Sequence, residues 1–234
     1  MRIAGPRTLH YWLLSFTVVL LLFSGALSIS TSAQEDQFAG ERVVHLLQEP
    51  RHRTVHHEGD LYLLDVQVNA GDVSFPHIHD QAILLTSISR GDGPRDGGVS
   101  SIIEYATEAL THKVSNDGPG LLRIIALVND GPGNANLTAD RPTGLQSEPQ
   151  LEDAWFRSYR IDLEPGEETS ILTHSLPSVV VQVTEGIFHV TRSDGITSEL
   201  SARAEWVWSS ANESYSVRNV GDIASTIVIN EGRR

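Results

Sequence analysis

The chain repeats itself at a spacing of 95 residues, and this repeat limits the fold more than any other feature of the sequence. Both copies contain short segments of alternating apolar and polar residues that end at Gly, Asn or Asp, a pattern typical of β-strands. The positions that match at this spacing are Gly71 and Gly166, His79 and His174, and Gly91 and Gly186. The repeat therefore predicts two similar modules, each built from short strands.

Six segments show the strand pattern most clearly. They are LYLLDVQVNAGD, SIIEYA, LLRIIALVND, FRSYRIDLEPGE, SVVVQVTEGIFHVTR and ASTIVINEG. No long helical stripe interrupts them beyond residue 33. Many short strands separated by regular turns favour a β-sandwich, a jelly roll or a barrel. The predicted fold class is therefore all-β, present in duplicate.

The boundary between the modules is predicted from composition. Residues 131–150, GPGNANLTADRPTGLQSEPQ, are rich in Gly, Pro, Asn and other polar residues and lack periodicity, as expected of a linker or a long loop. We therefore predict a first module over residues 34–135, a linker over 136–149 and a second module over 150–234. A chain of 234 residues with 40% hydrophobic content is long enough for two small all-β domains.

Residues 1–33 have the pattern of a secretory signal peptide. Arg2 and Arg7 give a positive start, an uncharged apolar run extends from Tyr11 to Ile29, and the small residues 30–33 offer a cleavage site before Gln34. The same run is long enough to remain as a single membrane anchor. Both alternatives predict that the rest of the chain is exported, to the periplasm or outside the cell.

Charge and cysteine content exclude several classes of protein. The chain has 17 basic and 30 acidic side chains. Arg2 and Arg7 lie in the leader, so the rest of the chain has 15 basic and 30 acidic side chains and a formal charge of −15. Such an acidic surface argues against binding to nucleic acid or to an anionic membrane. The absence of cysteine rules out disulfides, thiolate metal sites and a cysteine nucleophile.

Three histidines predict a metal site. His77 and His79 are two residues apart in an extended segment, so their side chains point to the same face of a sheet. A further histidine on a neighbouring strand, His112, would complete a pocket of three nitrogens suited to a first-row transition metal.

The segments around these histidines, VQVNAGDVSFPHIHD and ALTHKVSN, resemble the two signature motifs of the cupin superfamily. Nearly the whole chain after the leader looks like a two-domain cupin, or bicupin. The resemblance implies two double-stranded β-helix (jelly-roll) barrels, with a metal held inside the first one by His77, His79 and His112. It also implies that the protein pairs into a homodimer.

The sequence departs from the cupin motifs at one important ligand. The family places a glutamate four or five positions after the second histidine, where this chain has Ile83 or Leu84. The family's Pro-x-Gly before the last histidine is also absent, because Thr107 and Ala109 stand there. The predicted site therefore has three histidines and no carboxylate, as in some thiol dioxygenases of the superfamily.

A site of three neutral imidazoles leaves a divalent ion with its full charge and at least one open position. Fe, Mn, Zn, Ni and Cu all accept such ligands. The leading hypothesis is a metal-dependent oxidoreductase, similar to a dioxygenase, that acts on a small oxygenated molecule. The alternative is a non-enzymatic cupin that binds or senses a small ligand without metal.

The second module has lost the histidine pattern. Leu172 stands where the first histidine would be, His174 keeps the second position, and Tyr215 replaces the last one. One histidine and one tyrosine rarely hold a metal, so this half is predicted to be metal-free and structural. Two alternatives remain open: a small apolar ligand pocket, or a His174–Tyr215 acid–base pair as in metal-free sugar isomerases of the superfamily.

We predict structural roles for most of the remaining polar and aromatic candidates. A second histidine-rich stretch, with His52, His56 and His57, is predicted to be an exposed strand or loop upstream of the barrel, with weak metal binding as the alternative. Trp206 and Trp208 alternate on one strand and are predicted to pack one face or the rim of the second barrel. Asn116 and Asn219 each begin a turn and are predicted to cap it. The polar residues close to the site in sequence, candidates for contacts to its ligands, are Asp80, Gln81, Glu104 and Glu108.

Overall fold

The computed structural model of the protein describes residues 37–234, which consist of short strands and two 3₁₀-helices, Leu46–Gln48 and Glu104–Ala106. The predicted leader, residues 1–33, lies outside the described residues. The first nine strands are β1 Val44–His45, β2 His52–Glu58, β3 Leu61–Val68, β4 His77–His79, β5 Ala82–Arg90, β6 Gly93–Pro94, β7 Val99–Ile102, β8 Leu110–His112 and β9 Leu122–Asn129. The other nine are β10 Leu151–Glu152, β11 Phe156–Leu163, β12 Leu172–Thr173, β13 Ser178–Gln182, β14 Phe188–Arg192, β15 Thr197–Leu200, β16 Trp206–Ser209, β17 Ser214–Asn219 and β18 Ser225–Gly232.

The strands form two barrels, each made of a larger and a smaller sheet. The first barrel has the sheets β2-β3-β9-β5-β6, with β7 also paired to β5, and β1-β4-β8. The second barrel has β10-β11-β18-β13-β16 and β12-β17-β14-β15. Within the described part of the chain, every strand pairing except that of β1 with β4 is antiparallel. This arrangement confirms the predicted all-β fold with duplicated jelly-roll barrels. Among residues 37–234, no helix has the length and apolar character needed to cross a membrane.

The repeat found in the sequence reappears in the strand register. His77 lies directly opposite His112 in the β4–β8 pair, and Leu172 lies directly opposite Tyr215 in the β12–β17 pair. The turns that precede these pairs also match, because Gly71 and Gly166 have φ angles of +77° and +80°. Residues with a side chain rarely adopt this left-handed conformation, so glycine is favoured at the same place in both modules.

The two turn-capping asparagines have matching contacts. Asn116 Nδ2 donates to the carbonyl oxygen of Val68 over 2.8 Å and to that of the residue four positions later, while its Oδ1 accepts from the amide two positions later. Asn219 Nδ2 donates to the carbonyl oxygen of Leu163 over 2.9 Å and repeats the other two contacts. Each side chain closes its own turn and ties it to the neighbouring strand, which confirms the predicted structural role.

The barrels pack against each other through the outer faces of their larger sheets. One cluster of buried residues takes Leu63 and Ile125 from the first barrel and Val179 and Val228 from the second. The opposite faces of the same strands line the barrel interiors, so strands such as β3 and β18 are buried on both sides. Double-sided burial explains the nearly continuous apolar runs LYLL and STIVI, where alternation alone would predict a half-exposed strand.

Trp206 and Trp208 lie on β16, at the edge of the second large sheet, and pack between the barrels. The Trp208 ring lies 4.5 Å from the ring of His56 in the first barrel, and its Nε1 donates to Glu58 Oε2 over 2.9 Å. The prediction that these tryptophans pack one face of the second barrel is confirmed, and the face is the one covered by the first barrel.

Candidate metal centre

The structure brings together the three histidines that the sequence pattern singled out. His77, His79 and His112 each present one ring nitrogen such that these atoms all lie within 4.8 Å of one another. Their ring centroids form a nearly equilateral triangle with edges of 5.0, 4.7 and 4.8 Å. Strand β4 places two of the rings on one face, and β8 presents the third directly opposite. His77 and His79 are buried, and His112 is partly exposed.

His77 has the tautomer that a metal ligand needs. Its Nδ1 lies 2.9 Å from the carbonyl oxygen of Phe75, and because a carbonyl only accepts, Nδ1 carries the proton. The lone pair is then on Nε2, which is buried and has no hydrogen-bond partner in the structure. A histidine that donates through one nitrogen to a backbone carbonyl and leaves the other free is the usual arrangement at a metal.

The spacing of the other two histidines also fits a metal. His79 Nε2 and His112 Nε2 are 3.1 Å apart. Two nitrogen ligands at about 2.1 Å from one ion, with an angle of about 90–110° between them, lie about 3.0–3.4 Å apart. The three-histidine set therefore fits a divalent transition metal in its donor atoms, and the His79–His112 pair also fits in its spacing.

Burial keeps these imidazoles uncharged at neutral pH. It lowers the pKa of His79 to about 2 and that of His112 to about 4, and the neighbouring histidines add to both effects. Burial also lowers the pKa of His77, against the opposing effects of the Phe75 carbonyl and the Glu49 carboxylate. Neutral rings keep their lone pairs, so the cluster can bind a cation without first losing protons.

The residues close to the site in sequence do not join it. Ile83 and Leu84, at the family's glutamate positions, are buried apolar side chains. Asp80 Oδ1 pairs with His45 Nε2 at 2.9 Å, and Gln81 also contacts His45. Glu104 and Glu108 are exposed, and among residues 37–234 no carboxylate belongs to the histidine cluster.

His52 is the main correction to the sequence analysis. It was predicted to lie on an exposed strand or loop, but its side chain is inside the first barrel, with 3% of its surface exposed and its ring centroid 4.4 Å from that of His77. Most of β2 is exposed, so the strand shows no apolar alternation that would mark its first residue as inward-facing. His57 is exposed as predicted, whereas His56 is half-buried against Trp208.

Glu49 is a second residue that the sequence analysis missed. Its side chain is fully buried, and its carboxylate accepts hydrogen bonds from the amide of Arg51 over 2.5 Å and from the amide of Phe75 over 3.2 Å. The carbonyl of Phe75 in turn holds the ring of His77. Glu49 thus fixes the segment that orients a candidate ligand, from a position 28 residues earlier in the chain.

A small cavity of about 80 Å³ lies beside the histidines. Its walls are mostly apolar, with Val66, Ile83 and Ile124 among them. The polar side chains that line it are His52, His79, Tyr105 and His112. A small molecule beside the candidate site would therefore meet mostly apolar walls and a few ring nitrogens.

The same place in the second barrel holds a closed hydrogen-bond network. His174 Nδ1 lies 2.7 Å from Glu231 Oε1, and His174 Nε2 lies 3.1 Å from the hydroxyl oxygen of Tyr215. Arg157 Nη1 donates to Glu231 Oε2 over 3.0 Å, and all four side chains are buried. Burial raises the pKa of Tyr215, so its hydroxyl stays protonated. Both ring nitrogens of His174 are occupied within the protein, as expected of a structural network.

Comparisons with known proteins agree with this fold. No protein-family model matches the chain, and no curated protein matches it in sequence. Among solved structures, AerE from Microcystis aeruginosa has a TM-score of 0.52 at 7% identity, over 80% of this chain and 99% of that one. A mutant salicylate 1,2-dioxygenase from Pseudoaminobacter salicylatoxidans, in complex with gentisate, has a TM-score of 0.52 at 11% identity, over 74% of this chain and 68% of that one. A cupin domain from Bordetella pertussis Tohama I has a TM-score of 0.33 at 25% identity, over 41% of this chain and 94% of that one. The chain therefore shares its two-barrel fold with AerE and with the salicylate 1,2-dioxygenase, and the first barrel contains the cluster of three histidines.

Proposed function

We propose that this protein is an exported bicupin that binds one divalent transition metal through His77, His79 and His112. The observation that carries the proposal is the cluster of three ring nitrogens within 4.8 Å, in which the Nε2 of His77 is buried and without a partner. Burying such an atom unpaired costs about 1–3 kcal/mol, a cost that metal binding would remove. The ion is one of Fe, Mn, Zn, Ni or Cu, and export follows from the predicted leader in residues 1–33.

The proposed activity is that of a metal-dependent oxidoreductase acting on a small oxygenated molecule. A bound ion would supply a Lewis acid with at least one open position. The chain's own residues do the rest: three imidazoles hold the ion, the Phe75 carbonyl orients one of them, and the apolar cavity walls exclude water. Fold similarity to a salicylate dioxygenase supports oxidative chemistry only by analogy.

The size of the cavity narrows the substrate. A closed cavity of about 150 Å³ takes up benzene, so the 80 Å³ beside these histidines can enclose only part of an aromatic ring. We therefore propose a substrate that places only a few heavy atoms beside the ion.

Metal analysis tests this proposal directly. Residues 34–234, purified without a metal-binding tag and reconstituted with each candidate ion, are expected to hold about one metal per chain. The double variant His77→Ala, His112→Ala removes two of the three ligands and is expected to hold none. A matched control, His57→Ala with His189→Ala, changes two exposed or half-exposed histidines outside the cluster and should keep the metal. A metal-free wild-type protein after reconstitution would leave a cupin that binds a small ligand without metal.

Glu49 provides a second prediction. The variant Glu49→Ala removes the acceptor of the Phe75 amide, so the segment that orients His77 becomes less well fixed. Loss of such a supporting contact typically weakens metal binding by about 10–100-fold. Competition with a chromogenic chelator measures the affinity. Glu108→Ala, which changes an exposed carboxylate near the site, is the control and should leave the affinity unchanged. Equal affinities for the two variants would show that Glu49 does not support the ligand set.

A further inference from the structure

His52 is placed at the site by a strand whose other residues are exposed or half-buried. It is the first residue of β2 and pairs in register with Val66, which lines the cavity. Of the seven residues of β2, only His52 is buried. The strand therefore contributes one inward-facing side chain to the first barrel, and that side chain is an imidazole.

The position of His52 is beside the three-histidine cluster, not within it. Its ring stands edge-on to His77 at a centroid distance of 4.4 Å, but its centroid lies 6.5 Å from that of His79. The group of nitrogens close enough to share one ion contains His77, His79 and His112 without His52. His52 can therefore contact a molecule bound next to the ion while the other three imidazoles hold the ion.

One ring nitrogen of His52 makes no hydrogen bond. Its Nδ1 is buried and has no partner in the structure. A buried polar group that lacks a partner destabilises a protein by about 1–3 kcal/mol, and an apolar side chain would fill the same space without that cost. An imidazole that lines a cavity is instead suited to bind a ligand there.

The volume of the cavity sets the size of that ligand. Because a cavity of about 150 Å³ accommodates the six carbon atoms of benzene, a volume of 80 Å³ accommodates about three heavy atoms. Its polar lining consists of imidazoles and the phenol of Tyr105, and its other walls are apolar. The occupant must be small, and it must present a hydrogen-bonding atom to His52.

We propose that His52 is a positioning residue that hydrogen-bonds a small polar molecule or anion of about three heavy atoms, bound at the open position of the metal. This inference rests on the proposed metal function of the same cavity. It assigns a role to a residue outside the ligand set and limits the part of the substrate inside the cavity to this size.

Azide binding to the cobalt-loaded protein tests the proposal, because azide has three heavy atoms and changes the visible spectrum of cobalt(II) when it binds. Loss of the hydrogen bond in His52→Leu is expected to weaken azide binding by about tenfold. His52→Gln keeps a hydrogen-bonding group and should restore the affinity to within about threefold of wild type. His57→Leu, on the exposed part of the same strand, is the control and should bind azide like the wild type. Cobalt content, measured in every sample, should stay at about one per chain.

The outcomes separate this inference from the proposed function. A wild-type protein that takes up no cobalt would overturn both. If His52→Leu retains cobalt and binds azide with unchanged affinity, only the proposed role of His52 is overturned. Loss of cobalt from a folded His52→Leu variant would overturn that role too, because His52 would then be a metal ligand. His52→Ala, which cannot block the cavity, must show the same tenfold loss. Normal azide binding by His52→Ala would make the effect of leucine steric and would also overturn the proposal.

Discussion

Replacing Arg157 with methionine is expected to lower the free energy of unfolding by about 3–5 kcal/mol, the usual cost of removing one partner from a buried ion pair. The Arg157 side chain has no exposed surface, and all five of its N–H groups donate hydrogen bonds. Two carboxylates accept from it, those of Glu152 and Glu231. Methionine would leave the Glu231 carboxylate buried in the second barrel with His174 as its remaining partner.

The same substitution should loosen the connection between the barrels. Arg157 also donates to the carbonyl oxygens of Leu137, Ala139 and Asp140, in the segment predicted to be the linker. Urea unfolding monitored by tryptophan fluorescence measures the loss. The matched control is Arg192→Met, because Arg192 is 39% exposed and pairs with a similarly exposed Asp194; it should cost no more than about 1 kcal/mol. Equal stabilities of the two variants would show that the buried network contributes little.

The fold and the three-histidine cluster could be predicted from the sequence because both depend on local patterns. Strand alternation and two histidines two residues apart are visible within short segments, and the 95-residue repeat is found by comparing such segments with one another. The cluster needed only one long-range assumption, that His112 lies on a strand beside His77. The pairing of β4 with β8 satisfies it.

The residues that the sequence did not reveal depend on long-range packing. Glu49 reaches the site through the backbone of Phe75, and Glu231 meets His174 from a strand 57 residues away. Neither contact leaves a periodic signal near the histidines. His52 was missed for a related reason, since a single inward residue on an exposed strand resembles any other polar residue.

Side chains at equivalent positions of the two barrels differ in whether they have hydrogen-bond partners. In the second, both nitrogens of His174 are paired and Tyr215 completes the network. In the first, buried nitrogens of His52, His77 and His79 have no partner. Since the two modules have the same register, the difference arises from side chains and not from the backbone. At these equivalent positions the first barrel has unpaired ring nitrogens and the second has a closed network, which supports the proposed metal site in the first barrel.

The metal-free protein is expected to lose stability steeply as the pH falls below 6.5. Burial lowers the pKa of His52 to about 3 and that of His79 to about 2, whereas both would titrate near 6.5 in the unfolded chain. Between these values the unfolded state binds more protons than the folded state, so the free energy of unfolding decreases as the pH decreases. Each such histidine contributes up to about 1.4 kcal/mol per pH unit.

Urea unfolding of the chelator-treated protein at pH 6.5, 5.5 and 4.5 measures this slope. The double variant His52→Leu, His79→Leu removes both groups, so its free energy of unfolding should fall less steeply with pH than that of wild type. The difference between the two slopes should be up to about 3 kcal/mol per pH unit. Carboxylates titrate in the lower part of the same range but are common to both proteins, so the difference between the slopes isolates the histidines. A control that replaces the exposed His57 and the partly exposed His189 with leucine should keep the wild-type slope. Parallel slopes for wild type and the buried-histidine variant would mean that water or a bound ion already satisfies these rings in the folded protein.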